Sequence, residues 1–294
     1  MIKISVIIPH YNSVDSLITL LSSIPNDKYI EVIVVDDNSE YFPINDLVDK
    51  FPYVNYYVND RGKGAGGARN KGISVSKGQW LIFSDADDFF HAGAFEYILE
   101  DIVIAPAFVD IIFYKPTSSY ISTGIPATRH LKYSGLVQEY IQDSSIENKI
   151  KLLYSHYVPW SKVIRKSLVD LNEIHFDETL IANDGMFSAK CSLNSRGIQC
   201  KEREVYEVTV SNDSLTKIHN VDLFRIRLEV FTRMYSLLPS EIKKIIGMSP
   251  LSLIYMSRKY GLKEFVKTIA YFKSNGVGLI KYLNNTSVKR FFLK

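Results

Sequence analysis

Residues 4–8, 31–35 and 80–83 are short, almost unbroken apolar runs, and each stops at a polar cluster: Pro9-His10-Tyr11-Asn12, Asp36-Asp37-Asn38-Ser39 and Ser84-Asp85-Ala86-Asp87-Asp88. Runs of this length without polar alternation read as strands buried on both faces, which need helices above and below a parallel sheet. The intervening pattern supplies those helices. Val14, Leu17, Ile18, Leu21 and Ile24 lie on one helical face, with Asn12 or Ser13 at the cap position. A further strand is expected over 54–58, then a helix through Ala68, Ile73 and Val75 that stops at Gly78, a helix over 92–103 and a strand over 109–114. The fold class expected is therefore α/β, with a mostly parallel central sheet flanked by helices. Beyond about residue 115 the pattern is less regular, with helices at 146–154 and 184–193 and a strand at 205–210. From residue 221 successive helices form a helical C-terminal extension, so the domains expected are 1–215 and 216–294.

Composition narrows the class. With 46% hydrophobic and 23% charged residues in 294, the chain can bury a proper core, which excludes a disordered or disulfide-stapled protein. Cys191 and Cys200 have no redox or zinc spacing, and the six histidines show no zinc pattern. No window reaches the ~20 apolar residues of a spanning helix, and Pro9 ends the first apolar run too early for a signal peptide. A soluble, cytoplasmic protein is expected. Charge is uneven: residues 255–294 carry nine Lys/Arg against one acid, Glu264, a net of +8, while the whole chain stands at +3 and the first 254 residues at about −5. That basic, aromatic-rich tail reads either as a solvated helical face or as a surface for anionic lipid, a peripheral contact with the inner face of a plasma membrane. Nucleic acid is not expected as a partner.

In parallel sheets ligands gather at the carboxyl ends of strands, where the three polar clusters sit. Asp85 and Asp87, two positions apart at a strand end, can converge on a hard divalent cation, Mn²⁺ or Mg²⁺. Asp37 ends a buried strand and can take a base N–H or a ribose hydroxyl, or simply cap the next segment. The glycine-rich stretch 62–67 enters a helix beside Arg61, Lys63 and Arg69, a setting for a diphosphate. It is not a Walker A loop, because Ala68-Arg69 replaces Lys-Ser/Thr. With Tyr11 for a flat base, these parts describe a nucleoside diphosphate bound through a metal, and its natural cargo is an activated sugar.

At this point the chain resembles the large inverting glycosyltransferase family called family 2, of bacterial polysaccharide type, with the GT-A fold. The resemblance lies in segments 4–12 (ISVIIPHYN), 32–39 (VIVVDDNS), 66–73 (GGARNKGI) and 78–88 (GQWLIFSDADD), which fall in the family's order. Segment 160–169 (WSKVIRKSLV) and Asn183-Asp184-Gly185-Met186-Phe187 extend it; the latter is similar to the family's Glu-Asp-x-x-Phe motif, with Asn183 in place of Glu. The resemblance implies a UDP-sugar donor held in a donor half, 1–110, and an acceptor bound in 111–215. Pro9, Tyr11 and Asp37 would hold the nucleoside, Arg69 would lie near the base or diphosphate, Asp85 near the ribose, and Asp87, with Asp85, would ligate the metal. Asp88 would assist the metal or orient the acceptor loop. Asp184 would be the catalytic base, with a helix N-cap as its structural alternative. Trp160 would stack on an acceptor sugar or pack in the core. His219 would close over the diphosphate or sit in an exposed linker. The acceptor implied is a glycan or a polyprenyl-diphosphate-linked oligosaccharide of an O-antigen or capsule-type polysaccharide. A sugar nucleotidyltransferase is the competing enzyme, and a non-catalytic nucleotide-sugar-binding subunit of an assembly complex the competing non-enzyme.

Overall fold

The computed structural model describes residues 1–210 and 220–278, and the chain divides into two compact units, Met1–Thr216 and Lys217–Lys294. His219 lies outside the described residues, as do Lys281, Lys289, Arg290 and Lys294 of the basic tail.

The first unit is built on an eight-stranded sheet. Its strands are β1 (Ile4–His10), β2 (Ile30–Asp36), β3 (Val54–Val58), β4 (Trp80–Phe83), β5 (Phe89–Phe90), β6 (Ile111–Tyr120), β7 (Lys162–Arg165) and β8 (Ile198–Val210). Their order is β3-β2-β1-β4-β7-β6-β8-β5. Among the described residues of this unit the α-helices are α1 (Val14–Ser22), α2 (Ile44–Lys50), α3 (Ala65–Val75), α4 (Ala94–Ile104), α5 (Leu131–Gln142), α6 (Ile146–Tyr154), α7 (Lys166–Leu171) and α8 (Gly185–Asn194).

Every residue of β1 and β2 is buried, which explains why the two runs read as unbroken apolar sequence. The polar members of these strands are satisfied internally, as burial requires. Ser5 Oγ donates to Glu31 Oε2 at 2.6 Å, and the Lys77 and Gly78 amides donate to Glu31 and Ser5 at 2.8 Å each. β3, β2, β1 and β4 run parallel, in a register that pairs His10 with Asp36 and Ile7 with Phe83. Their carboxyl ends therefore finish side by side, and the three polar clusters converge.

The expected α/β architecture with helices around a central sheet is present. Parallel pairing prevails from β3 to β4; the other side of the sheet is mixed. β7 slots antiparallel between β4 and β6, β6 and β8 are parallel, and β5 is antiparallel to β8. β7 has only four residues and β5 two, too few to show a period. β6 and β8 outrun the expected strands because irregularities of register at Tyr114/Lys115 and Lys115/Pro116 carry the pairing into half-polar sequence. Beside β4, Phe83 meets the edges of Phe176 and Phe187, which stack on each other at 3.8 Å, and this pins the segment leading into α8.

The second unit consists of α9 (Val221–Leu237), α10 (Ser240–Ile245), α11 (Leu251–Ser257), a single 3-10 turn (Arg258–Tyr260) and α12 (Leu262–Ser274). Its core gathers Phe224, Leu228, Leu253, Ile254, Phe272 and Val277. Among the described residues no helix is long and apolar enough to cross a membrane.

Candidate active site

A cleft of about 440 Å³ opens at the carboxyl ends of β1 and β4, within the first unit. Pro9, Tyr11, Arg69, Asp85 and Asp87 line it together with Asn183 and Asp184, and Arg129 and Trp160 also contribute. Residues far apart in sequence thus meet, and one bond shows how: Arg69 Nη1 donates to Asn183 Oδ1 at 2.8 Å across 114 positions. The same guanidinium donates through Nη2 to Asp85 Oδ1 at 2.5 Å and lies over the Phe176 ring at 5.2 Å. Arg69 is buried, so its direction is fixed from three sides.

The loop after β1 is held by a residue that sequence reading set aside. The Ser13 amide donates to His10 Nε2 at 3.1 Å, which leaves the imidazole proton on Nδ1, and Nδ1 donates to Asp36 Oδ1 at 2.9 Å. Ser39 Oγ and the Ser39 amide donate to the same carboxylate. Asn12 and Asn38 both take positive φ, 47° and 61°, a conformation asparagine tolerates better than most residues. The outcome is a stiff turn that presents Tyr11, 48% exposed, at the cleft. Adjacency of His10 to Pro9 was the available signal, but the partner at Asp36 appears only when β1 and β2 pair. His10→Ala is expected to free the turn that carries Tyr11 and to weaken binding of the cleft's ligand roughly tenfold, the scale of one or two lost hydrogen bonds, as read by a ligand titration of the variant and the unaltered chain.

Asp37, expected beside the base, sits buried just after the end of β2. It is 5% exposed, and both oxygens already accept bonds, from Asn59 Nδ2 at 2.6 Å and from the Gly64 amide at 2.8 Å. A buried carboxylate needs such donors, and the effect here is to fasten the glycine-rich loop to the end of β2. Asn59, which sequence reading missed, also donates to the Gly62 carbonyl. Trp160 touches the cleft but is 2% exposed, and its ring stacks on Tyr206 at 5.8 Å and 17°. It is a packed wall rather than a stacking platform. Asp88 is buried too: Tyr206 Oη donates to Oδ2 and the Thr209 amide to Oδ1, both at 2.8 Å. It ties the end of β8 to the acidic turn. Arg129, also missed, lies in the irregular stretch before α5 where no motif marks it.

Asp184 occupies the N-cap position of α8, yet its side chain makes no capping hydrogen bond. The helix start holds the residue in place while the carboxylate is left to the cleft. Burial raises its pKa above the ordinary aspartate value; Arg69 pulls the other way and Asp85 adds to the rise.

Residues 5–171 match the profile of Glycosyl transferase family 2. The chain belongs to that family. It is 25% identical over 229 residues to the uncharacterized glycosyltransferase YibD of Escherichia coli K12, a match covering 74% of this chain and 64% of YibD. To the poly(ribitol-phosphate) beta-N-acetylglucosaminyltransferase TarS of Staphylococcus aureus it is 27% identical over 218 residues, 70% of this chain and 35% of TarS. The chain therefore spans between one third and two thirds of these relatives. Among solved structures, S. aureus TarS 1–349 in complex with UDP-GlcNAc superposes with a TM-score of 0.68 at 21% identity, covering 93% of this chain and 81% of that one. The mannosyltransferase PcManGT from Pyrobaculum calidifontis, in complex with GDP-Man and Mn²⁺, gives 0.56 at 14% identity, covering 92% and 75%. At these identities the structural likeness speaks to fold, and the fold is that of the GT-A glycosyltransferases.

In this member of family 2 the acidic turn fits a divalent cation. Oxygen atoms of Asp85, Asp87 and Asp88 lie within 4.8 Å of one another. Burial, then the neighbouring Asp85, raises the pKa of Asp87; burial, then Asp87 and Asp85, raises that of Asp88 well above the usual range. Crowded carboxylates of this kind are relieved by a cation, and an all-oxygen donor set suits Mg²⁺ or Mn²⁺. Asp85 and Asp87 line the cleft and would hold it. Because protons compete for a raised carboxylate, Mn²⁺ affinity should fall as pH drops through the Asp87 value. In Asp87→Asn, the tightening of UDP binding by Mn²⁺ should shrink at least about tenfold, the scale of losing one metal-ligand carboxylate, as read by calorimetry.

Proposed function

We propose that this glycosyltransferase moves a hexose-type sugar from a UDP-sugar, with inversion at the anomeric carbon, to a hydroxyl of a glycan or polyprenyl-diphosphate-linked oligosaccharide in surface polysaccharide synthesis. Residues 1–110 would form the donor half and 111–215 the acceptor half. The observation that carries the reading is the uncapping carboxylate of Asp184, which shares one cleft with Asp85, Asp87 and Arg69. The UDP-GlcNAc bound by TarS and the Mn²⁺ bound by PcManGT support the ligand classes.

The roles follow from position. Pro9 and Tyr11 flank the nucleoside. Amide groups at the start of α3, whose N-cap Gly64 offers no side chain, face the diphosphate with the positive end of the helix. Arg69, fixed by Asp85 and Asn183, puts a guanidinium beside the same charge. Asp184 takes the proton of the acceptor hydroxyl as its oxygen attacks the anomeric carbon; the bond to the diphosphate oxygen breaks, and UDP leaves with the electron pair. A cation held by Asp85 and Asp87 would supply Lewis-acid neutralisation of that leaving group. A lipid-linked acceptor would place the enzyme on the cytoplasmic side, at the inner face of the plasma membrane.

A donor screen that measures UDP release with Mn²⁺ tests this. One UDP-sugar should stand out from the panel, and chelation should abolish its turnover. Release from a GDP- or dTDP-sugar with none from any UDP-sugar would remove the donor assignment.

A further inference from the structure

α12 gives one side to the core of the second unit and shows the other to solvent. Glu264, Thr268 and Phe272, four positions apart, are its buried row. On the opposite side Leu262 is 78% exposed and Val266 57% exposed, and Ala270 continues their row. Lys263, Lys267 and Lys273 are exposed beside them, and Arg258 and Lys259 on the preceding turn are exposed too. Glu264 is the one acid between residues 258 and 278. It is buried and accepts from Arg225 Nε and Nη2 at 3.1 and 2.8 Å, with Lys267 near enough to act on its charge; among the described residues none of the five cations is held in a salt bridge.

We propose that this face of α12 is a docking surface for an anionic lipid bilayer, with the helix lying in the plane of the interface. The inference stands on the second unit alone and does not depend on the chemistry proposed for the cleft. Leucine and valine set among lysines match the two layers of such a surface: apolar side chains enter the headgroup–acyl boundary while ammonium groups meet lipid phosphates. A soluble polyanion would satisfy the lysines and leave Leu262 and Val266 in water. A second copy of the chain would oppose the same five cations to themselves. Each cation at an anionic leaflet strengthens binding roughly fivefold.

Vesicle co-sedimentation of the full chain tests the assignment, with phosphatidylcholine alone or mixed with phosphatidylglycerol, at low and high salt. Binding is expected only to the mixed vesicles, and it should weaken at high salt. Lys263→Glu with Lys267→Glu should reduce it at least about thirtyfold, and Leu262→Ser with Val266→Ser should reduce it on the same vesicles while circular dichroism stays unchanged. Failure of the unaltered chain to bind the mixed vesicles overturns the proposal, as does full binding by either double variant. Equal binding to soluble polyphosphate, insensitive to the Leu262 and Val266 changes, would make the face a polyanion site instead. A concentration-dependent dimer abolished by Leu262→Ser with Val266→Ser would assign it to a second copy.

Discussion

Asp184→Asn is expected to bind UDP and Mn²⁺ within about twofold of the unaltered enzyme and to lose between about 10² and 10⁴ of its transfer rate, the range that a positioned general base supplies. The amide keeps the shape of the side chain and the start of α8, so the loss falls on turnover. Stability should move the other way. Burial raises the pKa of Asp184 in the folded state, so the group favours folding only while protonated, below its unfolded value. That advantage is gone once pH rises through the folded value. At neutral pH the fold carries a desolvated charge that asparagine removes, and the melting temperature of the variant should be equal or higher. The rate of the unaltered enzyme should fall on the acid side as pH drops through a value above that of a free aspartate, and this limb should vanish from the residual rate of the variant. Near-normal turnover, or a variant that no longer binds UDP, would take Asp184 out of the base role.

Gly66→Ala should be strongly disruptive to the first unit. A Cβ there would stand 1.9 Å from the Asp177 carbonyl oxygen and 3.0 Å from Asn183 Cβ. The obstacle is backbone, which cannot rotate away, so α3 and the 177–183 segment must separate. Overpacking of this kind costs about 3 kcal/mol, which for a domain of this size lowers the melting temperature by about 6–12 °C. UDP affinity should drop with it, because Arg69 sits on α3 and reaches Asn183 across that contact. Gly135→Ala in α5 is the control: nothing lies within 4 Å of its added Cβ, and alanine there should stabilise the helix by up to about 1 kcal/mol. Equal melting temperatures for the two variants would mean that α3 does not close on the 177–183 segment in solution.

Much of the donor side was legible because its signals are local. β1, β2 and β4 announce themselves as strands buried on both faces, and α1 by its helical apolar row. The acids at 36–37 and 85–88 follow, since a parallel sheet places strand ends together. Legibility ended where a residue's partner is distant. Asp37 reads as a strand-end carboxylate free for a ligand or a cap, and only the fold shows that Asn59 and Gly64 bond to it; His10 shows its anchoring role only once Asp36 and Ser13 bracket it. Trp160 is ambiguous until Tyr206 covers its face. β7 and β5 are too short to carry a period, and α5 lies in a stretch whose polarity hides its helix.

By itself the amino-acid order determined the alternation of strands and helices, the carboxylates at strand ends and the separate helical region with its excess of lysine, because backbone geometry converts hydrophobic spacing directly into local structure. Tertiary structure alone decided that Asp184 and Asp85 line one cleft and that Arg69 is clamped between Asp85 and Asn183. It also decided that β7 enters the sheet antiparallel. Those choices depend on which distant polar groups can satisfy one another once buried, and no local period records that.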